Sequence, residues 1–304
     1  MLWHLPRRDL MDNPSAPIRC NICGYDGSFI RKENERESMI CKNCSSSSRL
    51  RAVMYILGTC LGISRLPVVA WAKDKEIRIL ESSGRGPYPM MLKEKFDYYN
   101  TEYDPASELM KRPFTAYADF QSLAYDEGVF DYVIASDVFE HVREDAKGFS
   151  EIFRVLKKGG AFILTVPYNH EWEQTLTRVK VEGDKDIELL PPEYHGGGGQ
   201  TLAYRTYGRD LPDRLRSFGF SVALLNFDAP QLAITRQVAF VAIKEGYLDV
   251  TKYHFFETDA RMEPHRASPL FLFRLFSFLK YNSLSVPHFI SEVRRRVSDR
   301  FPKS

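Results

Sequence analysis

No stretch of this chain approaches the ~20 consecutive apolar residues that a membrane-spanning helix needs, and the opening MLWHLPRRDLMDNPSAP has no apolar core of signal-peptide length. Cysteine is scarce, five among 304 residues, which points away from a disulfide-stapled secreted scaffold. Charge of either sign is not in excess. Lys and Arg number 42 against 40 Asp and Glu, and the formal net charge of +2 argues by itself for neither a nucleic-acid binder nor a polyanion binder. No internal repeat is visible. The hydrophobic fraction of 44% and charged fraction of 27% are those of an ordinary globular protein. Such a chain is expected in the cytoplasm.

What cysteine there is falls into a pattern. Cys20-Asn-Ile-Cys23 and Cys41-Lys-Asn-Cys44 are two C-x2-C knuckles with seventeen residues between them, the spacing of a zinc ribbon. Two disulfides or a redox C-x2-C are the alternatives. Four cysteines fill a tetrahedral shell, so the expected Zn2+ is structural, with no open position for catalysis. Cys60 lies in an apolar helical stretch, Arg49 to Leu66, and reads as a core thiol.

The most informative segment runs from Phe130 to Pro167. Phe130 to Ala135 is a short apolar run that reads as a buried strand, ending at the small polar pair Ser136-Asp137. Phe149, Ile152, Phe153 and Leu156 recur at helical spacing. Gly159-Gly160 closes the helix, and Ala161 to Val166 is a second apolar strand. This is a right-handed βαβ unit, and ligands are expected beyond the carboxyl ends of its strands. The acidic SDVFEHV turn and the RVLKKGGAFILTVP phrase resemble the second half of a class I S-adenosylmethionine-dependent methyltransferase.

The resemblance extends over roughly residues 50 to 246. Ile77 to Glu81 is a strand leading into Ser-Ser-Gly84-Arg-Gly86, similar to that family's nucleotide-binding turn. About 20 residues beyond Glu81, a second strand ends at Glu102, the offset at which a carboxylate meets ribose hydroxyls; Asp104 is its neighbouring competitor. Asp119 and Phe120 follow a third strand. By resemblance, Glu81, Gly84 and Gly86 cradle the methionine portion of S-adenosylmethionine, Glu102 the ribose, and Asp119 with Phe120 the adenine. Ser136, Asp137 and Val138 line the boundary with the acceptor. Phe220–Phe227 and Val238–Lys244 are joined by about ten residues without a helix, which implies an antiparallel pair at the sheet edge, as such methyltransferases finish.

The implied fold is α/β, a doubly wound, seven-stranded, mostly parallel sheet. Its expected organisation is an N-terminal arm (1–19), a zinc ribbon (20–48), a methyltransferase domain (49–246) and a basic amphipathic helical tail (247–304). Within the domain, 168–207 is a polar excursion that leaves the strand directly over the cleft. It reads as a substrate-facing lid, with Gly196 to Gly199 giving it mobility. Histidine titrates near working pH, so His195 and His170 are candidate general bases, with His141 a further candidate. The tail is expected to dock on the domain or to touch anionic membrane peripherally. The expected acceptor is an oxygen of a small molecule or saccharide. RNA, gripped near Arg31, Lys32, Arg49 and Arg51, is the competing enzyme reading, and a ribbon protein without catalysis is the other.

Overall fold

The computed structural model describes residues 18–34, 36–104, 106–195, 201–246 and 256–258. The N-terminal arm up to residue 17, Gly196 to Gly199 and nearly all of the expected tail lie outside the described residues. No helix among the described residues is long and apolar enough to cross a membrane.

The first unit is the ribbon, where β1 (Phe29–Ile30) pairs antiparallel with β2 (Ile40–Cys41). The four cysteine sulfurs close on one point, with Cys20 3.7 Å from Cys44 and Cys23 3.8 Å from Cys41. Helix α1 (Ser48–Cys60) follows at once, its first turn closed by the Ser47 hydroxyl accepting from the Leu50 N–H. It is shorter than the periodicity predicts. Gly62, at φ +76, turns the chain out of the helix well before Leu66.

One large sheet carries the rest. Its strands are β3 (Arg78–Ser82), β4 (Asp97–Glu102), β5 (Thr115–Tyr117), β6 (Phe130–Ser136), β7 (Leu156–Thr165), β14 (Phe220–Ala229), β15 (Ile234–Lys244) and β16 (Phe256–Thr258). Their order is β16-β14-β15-β7-β6-β3-β4-β5, parallel from β7 to β5 and antiparallel from β15 outward. Ile79, Leu80, Val133, Ile134, Phe162 and Ile163 are fully buried, as strands covered on both faces require. Helices α2 (Tyr88–Lys95), α3 (Asp145–Val155) and α4 (Leu211–Arg216) complete the layers. This is the expected mostly parallel Rossmann-like sheet with two differences. β16, in what reads as an irregular tail, adds an eighth strand, and β14 joins β15 through 230–233 rather than about ten residues. Strand order reverses between β3 and β6, so a crevice opens beyond their carboxyl ends.

The excursion after β7 is more ordered than its composition predicts. It forms three small antiparallel ladders among β8 (Leu176–Thr177), β9 (Val179–Glu182), β10 (Lys185–Glu188), β11 (Tyr194–His195), β12 (Thr201–Leu202) and β13 (Arg205–Thr206). Arg205 fastens its base, donating to the carbonyls of Phe139, Val142 and Arg143 and lying 3.6 Å from the Asp145 carboxylate. Arg214 and the Tyr207 hydroxyl donate to the same carboxylate at 2.6 and 2.8 Å.

Candidate active site

A cavity of about 960 Å³ opens at the carboxyl edge of the parallel strands. Three strand-end carboxylates line it: Glu102 at the end of β4, Asp119 beyond β5 and Asp137 after β6. Phe120, Ser136, Val138, His141 and His195 line it as well. Glu81, Gly84, Gly86 and the exposed His170 do not.

The reason Glu81 stays out is local. It is fully buried beneath the turn, and its two oxygens accept from the hydroxyls of Tyr88 and Tyr98, each at 2.5 Å. Burial pushes its carboxyl up to about 7, against the pull of the two tyrosine donors. Gly84 is also a packing residue. Its N–H donates to the Asn100 side chain at 2.8 Å, and a Cβ there would meet Asn100 Oδ1 and the Tyr98 hydroxyl at 2.6 Å. The residue of this turn that faces the cavity in a left-handed backbone is Ser83, at φ 55. Its hydroxyl donates to Glu102 at 3.0 Å. Glu102 also accepts from the Tyr103 N–H at 3.0 Å and the Ser107 hydroxyl at 3.3 Å, with Arg85 3.6 Å away.

Asp137 is the most heavily held group. It takes a left-handed backbone, φ 54, as the strand turns out of the sheet. Arg36 donates to its carboxylate at 2.8 Å, Thr165 donates at 3.2 Å, and Arg49 lies at 3.3 Å. Burial opposes ionisation, but the two arginines hold the carboxyl below its usual range. Arg49 also donates to Ser136 at 2.6 Å and pairs with Glu37. Asn34, Arg36 and Glu37 belong to the ribbon and line the cavity, so the cysteine unit forms one of its walls. Arg49 is thus committed inward. Arg51 is fully buried, donating to the carbonyls of Met39, Ser46, Leu232 and Ala233. Neither can grip a nucleic acid, which removes half of the basic cluster behind the RNA reading; Arg31 and Lys32 remain exposed.

At the far end of the cavity, His141 Nδ1 bonds to the Leu202 carbonyl at 2.9 Å. Burial lowers the pKa of this imidazole, against the pull of that carbonyl, so it is neutral near pH 7. The His195 ring lies edge-on to it, centroids 5.5 Å apart, and His195 Nε2 is 2.7 Å from Glu193. Glu140 is 1% exposed, and its carboxyl is pushed up to about 8 by burial, the charge of Asp137 adding to the effect. Sequence reasoning passed over Glu140, Arg36, Glu37 and Arg143, all of them lining residues. Only Glu140, beside His141, carried a local signal.

Residues 82–164 match the methyltransferase domain family. The chain is similar to a sarcosine/dimethylglycine N-methyltransferase of Halorhodospira halochloris, 44% identical over 50 residues. That match spans 16% of this chain and only 18% of the relative's length. Among solved structures, the 1,6-didemethyltoxoflavin-N1-methyltransferase of Burkholderia thailandensis is 17% identical at a TM-score of 0.38, covering 65% of this chain and 78% of that one. The phosphoethanolamine N-methyltransferase 2 of Haemonchus contortus is 15% identical at a TM-score of 0.36, covering 64% and 52%. These structural likenesses are too distant to transfer a substrate or a binding residue. The family match falls on the strands and helices that build the cavity floor, so this part of the chain, on a Rossmann-like sheet, is similar to a methyltransferase domain.

Proposed function

We propose that the cavity binds S-adenosylmethionine and that the protein transfers its methyl group to an oxygen of a small molecule or saccharide. The observation that carries this reading is the meeting of Glu102, Asp119 and Asp137, from three successive strand ends, on one cavity at the strand-order reversal. The donor set suits the ligand. A carboxylate has about four lone-pair positions, and Glu102 spends three on Ser83, Tyr103 and Ser107, leaving one for a ribose hydroxyl. Asp119, which accepts from Gln121, retains acceptor capacity for the adenine amino group, with Phe120 beside the ring.

When bound, S-adenosylmethionine supplies an electrophilic methyl carbon, so the work left to the protein is to hold a nucleophile in line with it. Ser136, Asp137 and Val138 form the boundary at which the acceptor would lie. His141, its Nδ1 tied to a carbonyl and its ring unprotonated, leaves Nε2 able to take a hydroxyl proton, and His195 on the lid is the second candidate.

The ribbon's part in this reading is structural. Zn–S bonds of about 2.3 Å in a tetrahedron require S···S edges of about 3.8 Å, and the two closest pairs lie at 3.7 and 3.8 Å. Cys20, Cys23, Cys41 and Cys44 thus suit Zn2+, and the charge of a four-thiolate centre would act favourably on the buried Arg51.

Calorimetry with S-adenosylmethionine tests the donor site. The wild type should bind, and Glu102→Ala and Asp119→Ala should each weaken binding at least tenfold; unchanged affinity in both variants overturns the assignment. A radiolabelled methyl donor offered with hydroxylated and with amine acceptors then separates oxygen from nitrogen transfer, and transfer to amines alone overturns the oxygen assignment.

A further inference from the structure

Where the lid meets the turn after β6, three potential metal ligands from two distant segments converge. One oxygen of Glu140, one ring nitrogen of His141 and one of His195 lie within 4.8 Å of one another. All three residues line the cavity. Each histidine has a second partner that fixes its ring. His141 gives Nδ1 to the Leu202 carbonyl, which turns Nε2 toward Glu140 Oε1 at 3.7 Å. His195 gives Nε2 to Glu193, itself held by Arg178 at 2.5 Å, which fixes its ring beside the cluster. Outer partners of this kind orient metal-bound imidazoles and set their tautomers.

The independent observation is Glu140. Its side chain is almost wholly buried, yet Oε2 has no hydrogen-bond partner. A buried carboxyl oxygen without a partner is costly, and such groups call for an explanation in a folded protein. The nearest cations do not serve: Arg36 and Arg49 are spent on Asp137, and Arg205 on backbone carbonyls and Asp145.

We propose that Glu140, His141 and His195 form a second metal site, separate from the cysteine cluster, for a divalent first-row transition ion. Two imidazoles and one carboxylate leave coordination positions open, and mixed N/O donors suit Mn2+, Fe2+ or Zn2+. The open positions face the cavity, so the natural further ligand is an oxygen of the acceptor, a hydroxyl or a carboxylate. The ion would then also tie the lid, through His195, to the turn that carries Glu140. The role toward the acceptor rests on the methyl-transfer reading, and with the ion bound His141 and His195 act as its ligands and not as bases, the ion itself favouring loss of the proton from a bound hydroxyl; the metal site does not rest on that reading.

Mn2+ is the discriminating probe, because soft thiolates do not favour it. The full chain, with its cysteine site filled with zinc, is titrated with Mn2+ and the free ion followed by electron paramagnetic resonance. The expected result is one saturable Mn2+ per chain. Glu140→Gln should weaken it at least tenfold, and His141→Ala with His195→Ala should abolish it, while zinc content stays constant. His195→Ala alone, on the partly exposed lid, guards against misfolding of the Glu140 variant and should also weaken binding at least tenfold. No saturable Mn2+ site, or equal binding by wild type and the double variant, overturns the proposal. Calorimetry with S-adenosylmethionine on the same samples keeps the two readings apart. Mn2+ binding without donor binding retains this site and removes the methyl-transfer reading; donor binding without Mn2+ does the reverse.

Discussion

Two walls of the cavity are built by opposite means. The ribbon wall is short in sequence and almost without regular structure, yet it is part of the core. Cys20, Ile22 and Cys41 are buried in the same cluster as α1 and the sheet, and the buried Arg51 joins the ribbon's carbonyls to the turn between β14 and β15. The lid wall is longer and has more strand, but its ladders involve two to four residues per strand. Its base is fastened by Arg205 and Tyr207 to Asp145 at the start of α3, a carboxylate that Arg214 of α4 also holds. Regular hydrogen-bond ladders, then, are a poor guide to which wall is fixed. Burial and cross-linking decide it.

The comparison can be broken most severely at the cysteines. Structural zinc sites are worth on the order of 10 kcal/mol, so Cys41→Ser should unfold the ribbon, lower the melting temperature steeply and abolish donor binding. A melting temperature equal to the wild type's would mean that the thiols do not fix this wall. Next in size is Asp145→Ala, which leaves the buried Arg205 without its carboxylate; loss of one partner from such a pair costs about 3–5 kcal/mol, measurable by urea denaturation. If the lid is held from this point, limited proteolysis should cut within 168–207 first.

The floor shared by both walls supplies a pH test. The Glu81 carboxyl is raised in the folded state from 4.5 to about 7. A raised carboxyl gives a contribution that is complete below 4.5 and is lost as pH rises through 7, because the folded state holds the extra proton. Stability should therefore fall across that window by up to ~1.4 kcal/mol per pH unit from this group. Tyr98→Phe, by removing a donor to the ionised form, should extend the fall to higher pH while its start stays put; a urea midpoint that rises from pH 4.5 to 7 in both proteins contradicts this. Smaller still, Arg36→Met severs the ribbon from Asp137 and should weaken S-adenosylmethionine binding about tenfold, ~1.4 kcal/mol, with melting little changed. Least of all, Arg143→Ala removes an exposed latch to Asp186 and to the carbonyls of Gly183 and Lys185 on the lid hairpin. It should leave the melting temperature unmoved and raise the acceptor KM.

How much of this was written in the chain depends on the distance over which a contact acts. The parallel strands, the closing antiparallel pair and the cysteine knuckles are local patterns, and Asp137 stands at the end of an apolar run, whereas Glu102 follows from its offset beyond Glu81 and Asp119 from the family resemblance. Glu81 misleads for a physical reason. It stands at a strand end too, but Tyr88, on the next helix, and Tyr98, on the next strand, fold over it and use both oxygens. The ribbon's entry into the cleft could not be read locally at all, since Arg36 and Asp137 lie 101 residues apart. Glu140 was overlooked because a glutamate beside a histidine ordinarily reads as a solvated turn residue. Its significance comes from burial, which only the packed chain defines.

The seat of the ribbon also has a consequence for biosynthesis. Arg51 reaches Leu232 and Ala233, 181 and 182 positions further on, and Gln237 reaches back 201 positions to the Arg36 carbonyl. Contacts spanning such separations form late, and a nascent chain folds from its amino end as it emerges. The knuckles leave the ribosome well before the hairpin that receives them, which lies far downstream in the chain. Until that hairpin emerges the first-made wall of the cleft has nothing to lean on, and a truncated product ending before Gln237 would carry its cysteines without the platform that turns Arg36 toward Asp137.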